Sequence, residues 1–268
     1  MEQERQSDPL LAVEGVAVQR GGRPLLEGLN FLVGRGEVFS FVGMSGCGKS
    51  TLLRILLGMD RPAAGTVRLC GEDPAELLRK GGIAVPRTYG VLFQEGALWT
   101  SMTLLENVSL PIRSYAGLCE EDAADLAAFK LALVGLAGFE NFYPNQISGG
   151  MARRAAIARA MALDPPLLFF DEPSTGLDPV TSRQLDELIL QLRTCYGTAV
   201  VLVTHDLNSI RRVSDRVAFL DEESHSLLQI APPEEIANQS PHRVVRDFFS
   251  VRSEPVTEGR RKMAKEST

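Results

Sequence analysis

The stretch EVFSFVGMSGCGKSTLLRILLGM, residues 37–59, decides the fold. Its first seven residues are apolar enough to read as a short buried strand. Residues 49–59 carry apolar side chains at helical spacing. Between them, GMSGCGKST (43–51) matches G-x-x-x-x-G-K-[ST], here with a strand before it and a helix after it, which is the setting that gives the pattern meaning. Gly43, Gly46 and Gly48 let backbone N–H groups wrap phosphates without a Cβ in the way. With Ser45, Cys47 and Thr51 they form the expected phosphate-binding set. Lys49 is expected to bridge the β- and γ-phosphates, and the Ser50 hydroxyl to ligate Mg²⁺.

Outward from that loop, the chain alternates strands and helices. Residues 10–35 alternate apolar and polar around Gly21-Gly22 and read as paired strands. Residues 64–73 read as a strand and turn. Residues 95–163 lack strand alternation and are rich in Ala, Leu and Glu, which predicts a separate helical lobe. PPLLFFDEP (165–173) and TAVVLVTHD (198–206) read as fully buried strands. The amphipathic helix 178–197 lies between them, ending near Gly197. Apolar strands separated by helices imply a parallel sheet with helices on its faces, an α/β fold. The ending SEPVTEGRRKMAKEST (253–268) is polar and reads as a disordered tail.

Acidic and polar groups follow at the strand ends. Asp171, closing LLFFD, is expected to hold the Mg²⁺ sphere, and Glu172 to polarise an attacking water. His205 ends the strand AVVLVTHD, at the sheet edge where such folds bind ligands. ISGGMARRAAIARAM (147–161) opens a helix on Ser148, Gly149 and Gly150. Bare glycines there leave N–H groups open to an anion. Met151 stands where a polar residue would look more natural.

Together these pieces resemble the ATP-binding subunits of ABC transporters over roughly residues 10–230. The Walker A lies at 43–51, the Q-loop at Gln94, the signature at 147–151, the Walker B at 167–172, the D-loop STGLD at 174–178 and the switch His205 beyond it. The resemblance implies a P-loop NTPase with a RecA-like parallel-sheet core, an N-terminal antiparallel β subdomain and a helical signature subdomain of about 95–163. The cassette would span 8–248 and a flexible or partner-binding tail 249–268. It also implies ATP and Mg²⁺ as ligands, with Gln94, Glu172 and His205 catalytic and Ser50, Gln94 and Asp171 around the metal. Two chains would close head to tail over two ATPs. Ser148, Gly149 and Gly150 of one chain would reach the γ-phosphate held by the other, and Asp178 would help join the sites.

Two departures narrow the reading. The fifth signature position, commonly Gln or Glu, is Met151. No aromatic stands ready to stack on adenine. Arg20 falls about there and offers a guanidinium plane, or is a solvated turn residue. YGVLFQEGALWTSMTLLENVSLPIR (89–113), SGGMARRAAIARAM and VVRDFF (244–249) resemble the Mla branch, the ATPases that serve MCE-protein lipid transporters. That branch implies phospholipid movement between bacterial membranes. It also implies an integral permease, an MCE protein and a STAS-domain partner, with the cassette on the cytoplasmic face of the inner membrane. Ala97, Leu98 and Trp99 are candidates for the permease groove, with helical-lobe core as the alternative. An importer for polar solutes is the rival within the class, and a soluble ABC ATPase the more distant one.

Bulk properties agree. A chain of 268 residues, 44% hydrophobic and 23% charged, has material for a substantial core. Its formal charge of −6 argues against a dedicated nucleic-acid binder. The four cysteines are scattered without a C-x-x-C pair, as in reduced cytosolic proteins. No signal peptide is visible, and the apolar runs are too short to span a bilayer.

Overall fold

Alternating residues at the start of the chain build a hairpin. β1 (Leu11–Arg20) and β2 (Arg23–Val33) pair antiparallel through the Gly21-Gly22 turn and bury Val13, Val16, Leu26 and Phe31 on one face. β3 (Val38–Gly43), buried at every residue, runs into the glycine loop and α1 (Lys49–Leu56). β4 (Ala64–Leu69) then returns to pair antiparallel with β1, so the small sheet has the order β2-β1-β4. Its third strand thus comes from beyond the glycine loop. The computed structural model describes residues 8–94 and 96–251.

α2 (Pro74–Lys80), α3 (Ala84–Thr88) and β5 (Tyr89–Leu92) follow, a segment in which the sequence reading assigned no elements. The helical region consists of α4 (Leu104–Tyr115), α5 (Glu120–Leu133) and α6 (Gly149–Ala160), with a 3₁₀ turn at Pro144–Gln146. β6 (Leu167–Asp171), α7 (Pro179–Tyr196) and β7 (Ala199–Val203) match the expected strand, helix and strand. Asp178 caps α7 from its carboxylate, Pro179 takes the first turn, and Gly197 ends the helix in the left-handed region. α8 (Leu207–Val213), β8 (Arg216–Asp221), β9 (Ser226–Ala231), α9 (Pro233–Gln239) and α10 (Arg243–Val251) complete the described chain.

The large sheet has the order β5-β6-β7-β3-β8-β9, parallel from β5 through β8, with β9 antiparallel at the edge. Period-two geometry explains why its strands are apolar throughout. Leu167 and Phe169 face α1 and the small sheet, while Leu168 and Phe170 face α4 to α7. The helical region therefore stands apart in the chain but not in packing: its buried residues share one cluster with Leu168, Phe170, Val200 and Leu202 of the sheet.

A third cluster forms where α8, α9 and α10 cover Val42, Val217 and Phe219. Val245 and Phe249 are buried there, and the Phe248 ring stands edge-on to Phe219 at 5.3 Å. A tail beginning at residue 249 would cut through α10, and Phe249 belongs to the core that the end of VVRDFF builds. The polar stretch 253–268 lies outside the described residues.

Candidate functional site

The glycine loop leaves β3 at a position with no room for a side chain. At Gly43, with φ of 155°, a Cβ would lie 2.3 Å from the Leu220 carbonyl oxygen on the neighbouring strand β8. The tight turn lets Gly48 cap α1 and turns that helix's N-terminus toward the loop. Lys49 arches back over the loop, its Nζ donating to the Gly43 and Met44 carbonyls at 2.8 Å each. Cys47 is buried beneath it, and desolvation pushes its thiol above the ordinary range, which leaves it a packing residue rather than a nucleophile.

Parallel pairing of β6 with β7 brings the acidic pair and His205 together. Asp171 is in register with Val203, and the Glu172 N–H donates to the Val203 carbonyl at 2.8 Å. Glu172 adopts a left-handed backbone, φ 48°, a strained conformation for a residue with a side chain. Its Oε2 lies 2.8 Å from His205 Nδ1 and accepts from Thr175 Oγ1 at 3.1 Å. Burial, reinforced by Glu172, raises the Asp171 carboxyl above the usual aspartate range, and Lys49 opposes that rise.

A cavity of about 1310 Å³ opens over these groups. Gly43, Ser45, Gly46, Gly48, Lys49, Ser50, Thr51, Gln94, Glu172 and His205 all line it, and Arg20 does too. Sequence reasoning missed the wall formed by Arg243, Val244, Asp247 and Phe248 of α10 and by Glu223 of the β8–β9 turn. VVRDFF runs through part of this wall, but nothing in the motif marks a place beside the phosphate loop; α10 arrives there by packing of the third cluster.

Ser148, Gly149, Gly150 and Asp178 lie outside the lining of this cavity. They sit instead at the adjoining starts of α6 and α7. Ser148 caps α6, its Oγ accepting from the Met151 N–H at 3.2 Å. A Cβ at Gly150 would come within 2.2 Å of the Thr181 methyl, so the start of α6 presses against the start of α7. Asp178 Oδ1 accepts from Val180 N–H and Thr181 N–H at 3.0 Å each. The Thr181 hydroxyl chiefly holds the Asp178 carboxyl below the usual range. Met151 turns its side chain into the helical core, which explains an apolar residue at that position.

Gln94 leaves β5 at the cavity rim. Arg153 of α6 donates to the Phe93 carbonyl at 3.1 Å and to the Gln94 carbonyl, and Arg159 donates to Ala97 O at 2.7 Å. Of the three proposed groove residues, Leu98 packs on the helical core, Ala97 is exposed, and Trp99 is 57% exposed.

Among the described residues, no cluster of three or more His, Cys, Asp or Glu side chains could hold a metal by itself. One half-buried carboxylate, Asp171, one hydroxyl, Ser50, and a rim amide, Gln94, suit a Mg²⁺ that arrives on phosphates and keeps several waters. No helix among the described residues is long and apolar enough to cross a membrane.

A parallel sheet with a phosphate-cradling loop at its carboxyl edge after β3 and a Walker B acid pair at the end of β6, with β7 between the two strands, is a P-loop ATPase. Residues 26–175 match the ABC transporter family, and the chain belongs to it. It is 38% identical over 206 residues to the Haemophilus influenzae intermembrane phospholipid transport system ATP-binding protein MlaF, covering 77% of this chain and 78% of that one. It is 37% identical over 242 residues to the Mycobacterium bovis probable ribonucleotide transport ATP-binding protein mkl, covering 90% of this chain and 67% of that one. The ATP-binding cassette MJ0796, whose dimeric post-hydrolysis structure holds ADP and Pi, superimposes with a TM-score of 0.71 at 32% identity, covering 83% of this chain and 98% of that one.

Proposed function

We propose that the chain binds and hydrolyses ATP as the motor of a phospholipid transporter working between bacterial membranes. The observation that carries the chemistry is the Glu172–His205 contact at the carboxyl ends of adjacent strands, in one cavity with Lys49. Backbone N–H groups of the loop and the Lys49 ammonium bind the β- and γ-phosphates. Glu172 accepts the proton of the attacking water. His205 and Thr175 hold its carboxylate in place, and Gln94 orients water at the rim. Ser50 and Asp171 would hold a Mg²⁺, which would supply charge neutralisation at the phosphates.

Because Ser148 to Gly150 and Asp178 lie off their own chain's cavity, the signature acts on a second chain. The N-terminus of α6 supplies positive partial charge to the γ-phosphate there, as an arginine finger does. The dimeric MJ0796 cassette supports that arrangement. The MlaF likeness supports phospholipid as cargo; with that cargo we propose an integral permease, an MCE protein and a STAS-domain subunit as partners, and a place at the cytoplasmic face of the inner membrane. The mkl likeness, which spans more of the chain, keeps a polar-solute importer as the second reading.

Glu172→Gln tests the chemistry. It should bind ATP with an unchanged Kd, lose turnover and accumulate as a closed dimer by light scattering. Turnover near the unaltered rate removes Glu172 as the base. The cargo is tested by reconstituting the chain in vesicles with the permease that co-purifies with it. Stimulation of ATPase by phospholipid vesicles supports lipid transport, and stimulation by a polar solute alone supports the second reading.

A further inference from the structure

The helix that begins at Asp178 and the helix that begins just after His205 are joined by buried polar groups that the chemistry above does not use. Ser182 and Asp186 lie four residues apart on one face of α7, both buried. Ser182 Oγ donates to Asp206 Oδ2 at 3.4 Å. Asp206 follows His205 directly and caps α8, accepting from Asn208 N–H at 3.0 Å. One turn further on, Asp186 accepts from the Ser209 hydroxyl and from Arg212 Nη1, the latter at 2.5 Å. The Asp186 side chain is 2% exposed and that of Arg212 36%.

An apolar pair would hold α7 to α8 without the desolvation cost of the buried Asp186 carboxylate, which an ion pair to the partly exposed Arg212 only partly offsets. What a directional pair adds is a single register. α8 has seven residues, too few to hold its place unaided. Sliding it by part of a turn would carry His205 away from Glu172. One turn before Ser182, Asp178 caps the same end of α7, and through Thr181 that end touches signature Gly150.

We propose that Asp186, with Ser209 and Arg212, is a positioning group for hydrolysis: it fixes the α8 register so that His205 meets Glu172, and it ties that geometry to the helix bearing Asp178. This rests on the assignment of Glu172 and His205 as the hydrolytic pair, and the control below separates the two.

The test uses the full chain. Arg212→Met should lower kcat by about 10²-fold, as a misplacement of order 1 Å does, and leave the ATP Kd measured in EDTA unchanged. The paired variant Asp186→Leu with Arg212→Met should recover the melting temperature but not kcat. In a His205→Ala background the same pair should cost no further rate. Arg212→Lys, which keeps a donor and the charge, should restore part of kcat. Full kcat in the apolar pair, or a loss that multiplies that of His205→Ala, overturns the proposal. If the apolar pair does not fold, Ser209→Ala and Arg212→Lys carry the test: reduced kcat at constant Kd supports it, and full kcat in both overturns it. Glu172→Gln is the control. If it keeps turnover, the hydrolytic assignment fails; if it loses turnover while the latch variants keep theirs, only the positioning role fails.

Discussion

Met151 and Ser148 divide the signature between packing and chemistry. Met151 spends its side chain on the helical core and offers only its N–H, which Ser148 caps. Met151→Gln should therefore leave ATPase activity within several-fold. Ser148→Ala should cost far more: a cap worth about 1 kcal/mol, and a donor toward transition-state charge worth about 10²–10³ in kcat. Equal losses in the two variants would refute that division. Asp171 carries an opposite kind of burden. Its carboxyl is raised by burial in the folded chain, so the folded state binds its proton more readily than the unfolded one. Stability then falls as pH climbs from the ordinary aspartate value through the raised one, and the cost persists at neutral pH. Asp171→Asn should raise the melting temperature of the Mg²⁺- and nucleotide-free protein at neutral pH, and should abolish Mg²⁺-dependent turnover. Calorimetry showing an unchanged or lower transition would contradict the burial argument.

At the scale of elements, the segment between β5 and α4 is held from two sides. Arg153 and Arg159 of α6 grip its carbonyls, and Asn107 of α4, fully buried, anchors its far end. Asn107 Oδ1 accepts from the Trp99 N–H at 2.8 Å, and Nδ2 donates to the Trp99, Met102 and Thr103 carbonyls. Asn107→Leu should destabilise the chain by about 1–3 kcal/mol, because those backbone groups lose their partner inside the protein. Trp99→Ala, at an exposed ring, should stay within about 0.5 kcal/mol. It should weaken permease binding where a large aromatic anchors the groove. Urea unfolding and co-purification separate the two effects. A Trp99→Ala loss as large as that of Asn107→Leu would return the ring to the helical core.

For the whole molecule, the separation of residues 148–150 from the phosphate cavity of their own chain is the ground for the head-to-tail assembly proposed above. Ser148→Arg and Lys49→Ala chains, each inactive alone, should regain turnover when mixed, because a mixed dimer keeps one intact composite site. No recovery on mixing would place both halves of the site in one chain. The third cluster sets the end of the fold. Phe249→Ala should cost about 3–5 kcal/mol, as for a buried aromatic emptied to a cavity. A shift near zero in chemical denaturation would detach α10 from the core.

Local chemistry made the phosphate loop legible, since G-x-x-x-x-G-K-[ST] needs a strand before it and a helix after it, and both were written in periodicity around it. The same holds for LLFFDE, for the stop of α7 at Gly197, and for the helical content of 95–163. The four-residue strand β5 escaped because a short apolar run carries no period of its own. The α10 wall of the cavity and the α7–α8 latch escaped for a different reason. Arg243 to Phe248 reach the phosphate loop, and Asp186 reaches Arg212, only after the parallel sheet has stacked segments far apart in sequence. Periodicity records which face a residue shows; it does not record which distant face arrives opposite. Met151 shows both limits at once. The residue type was visible from the start, and only the packed helical core showed where its side chain goes.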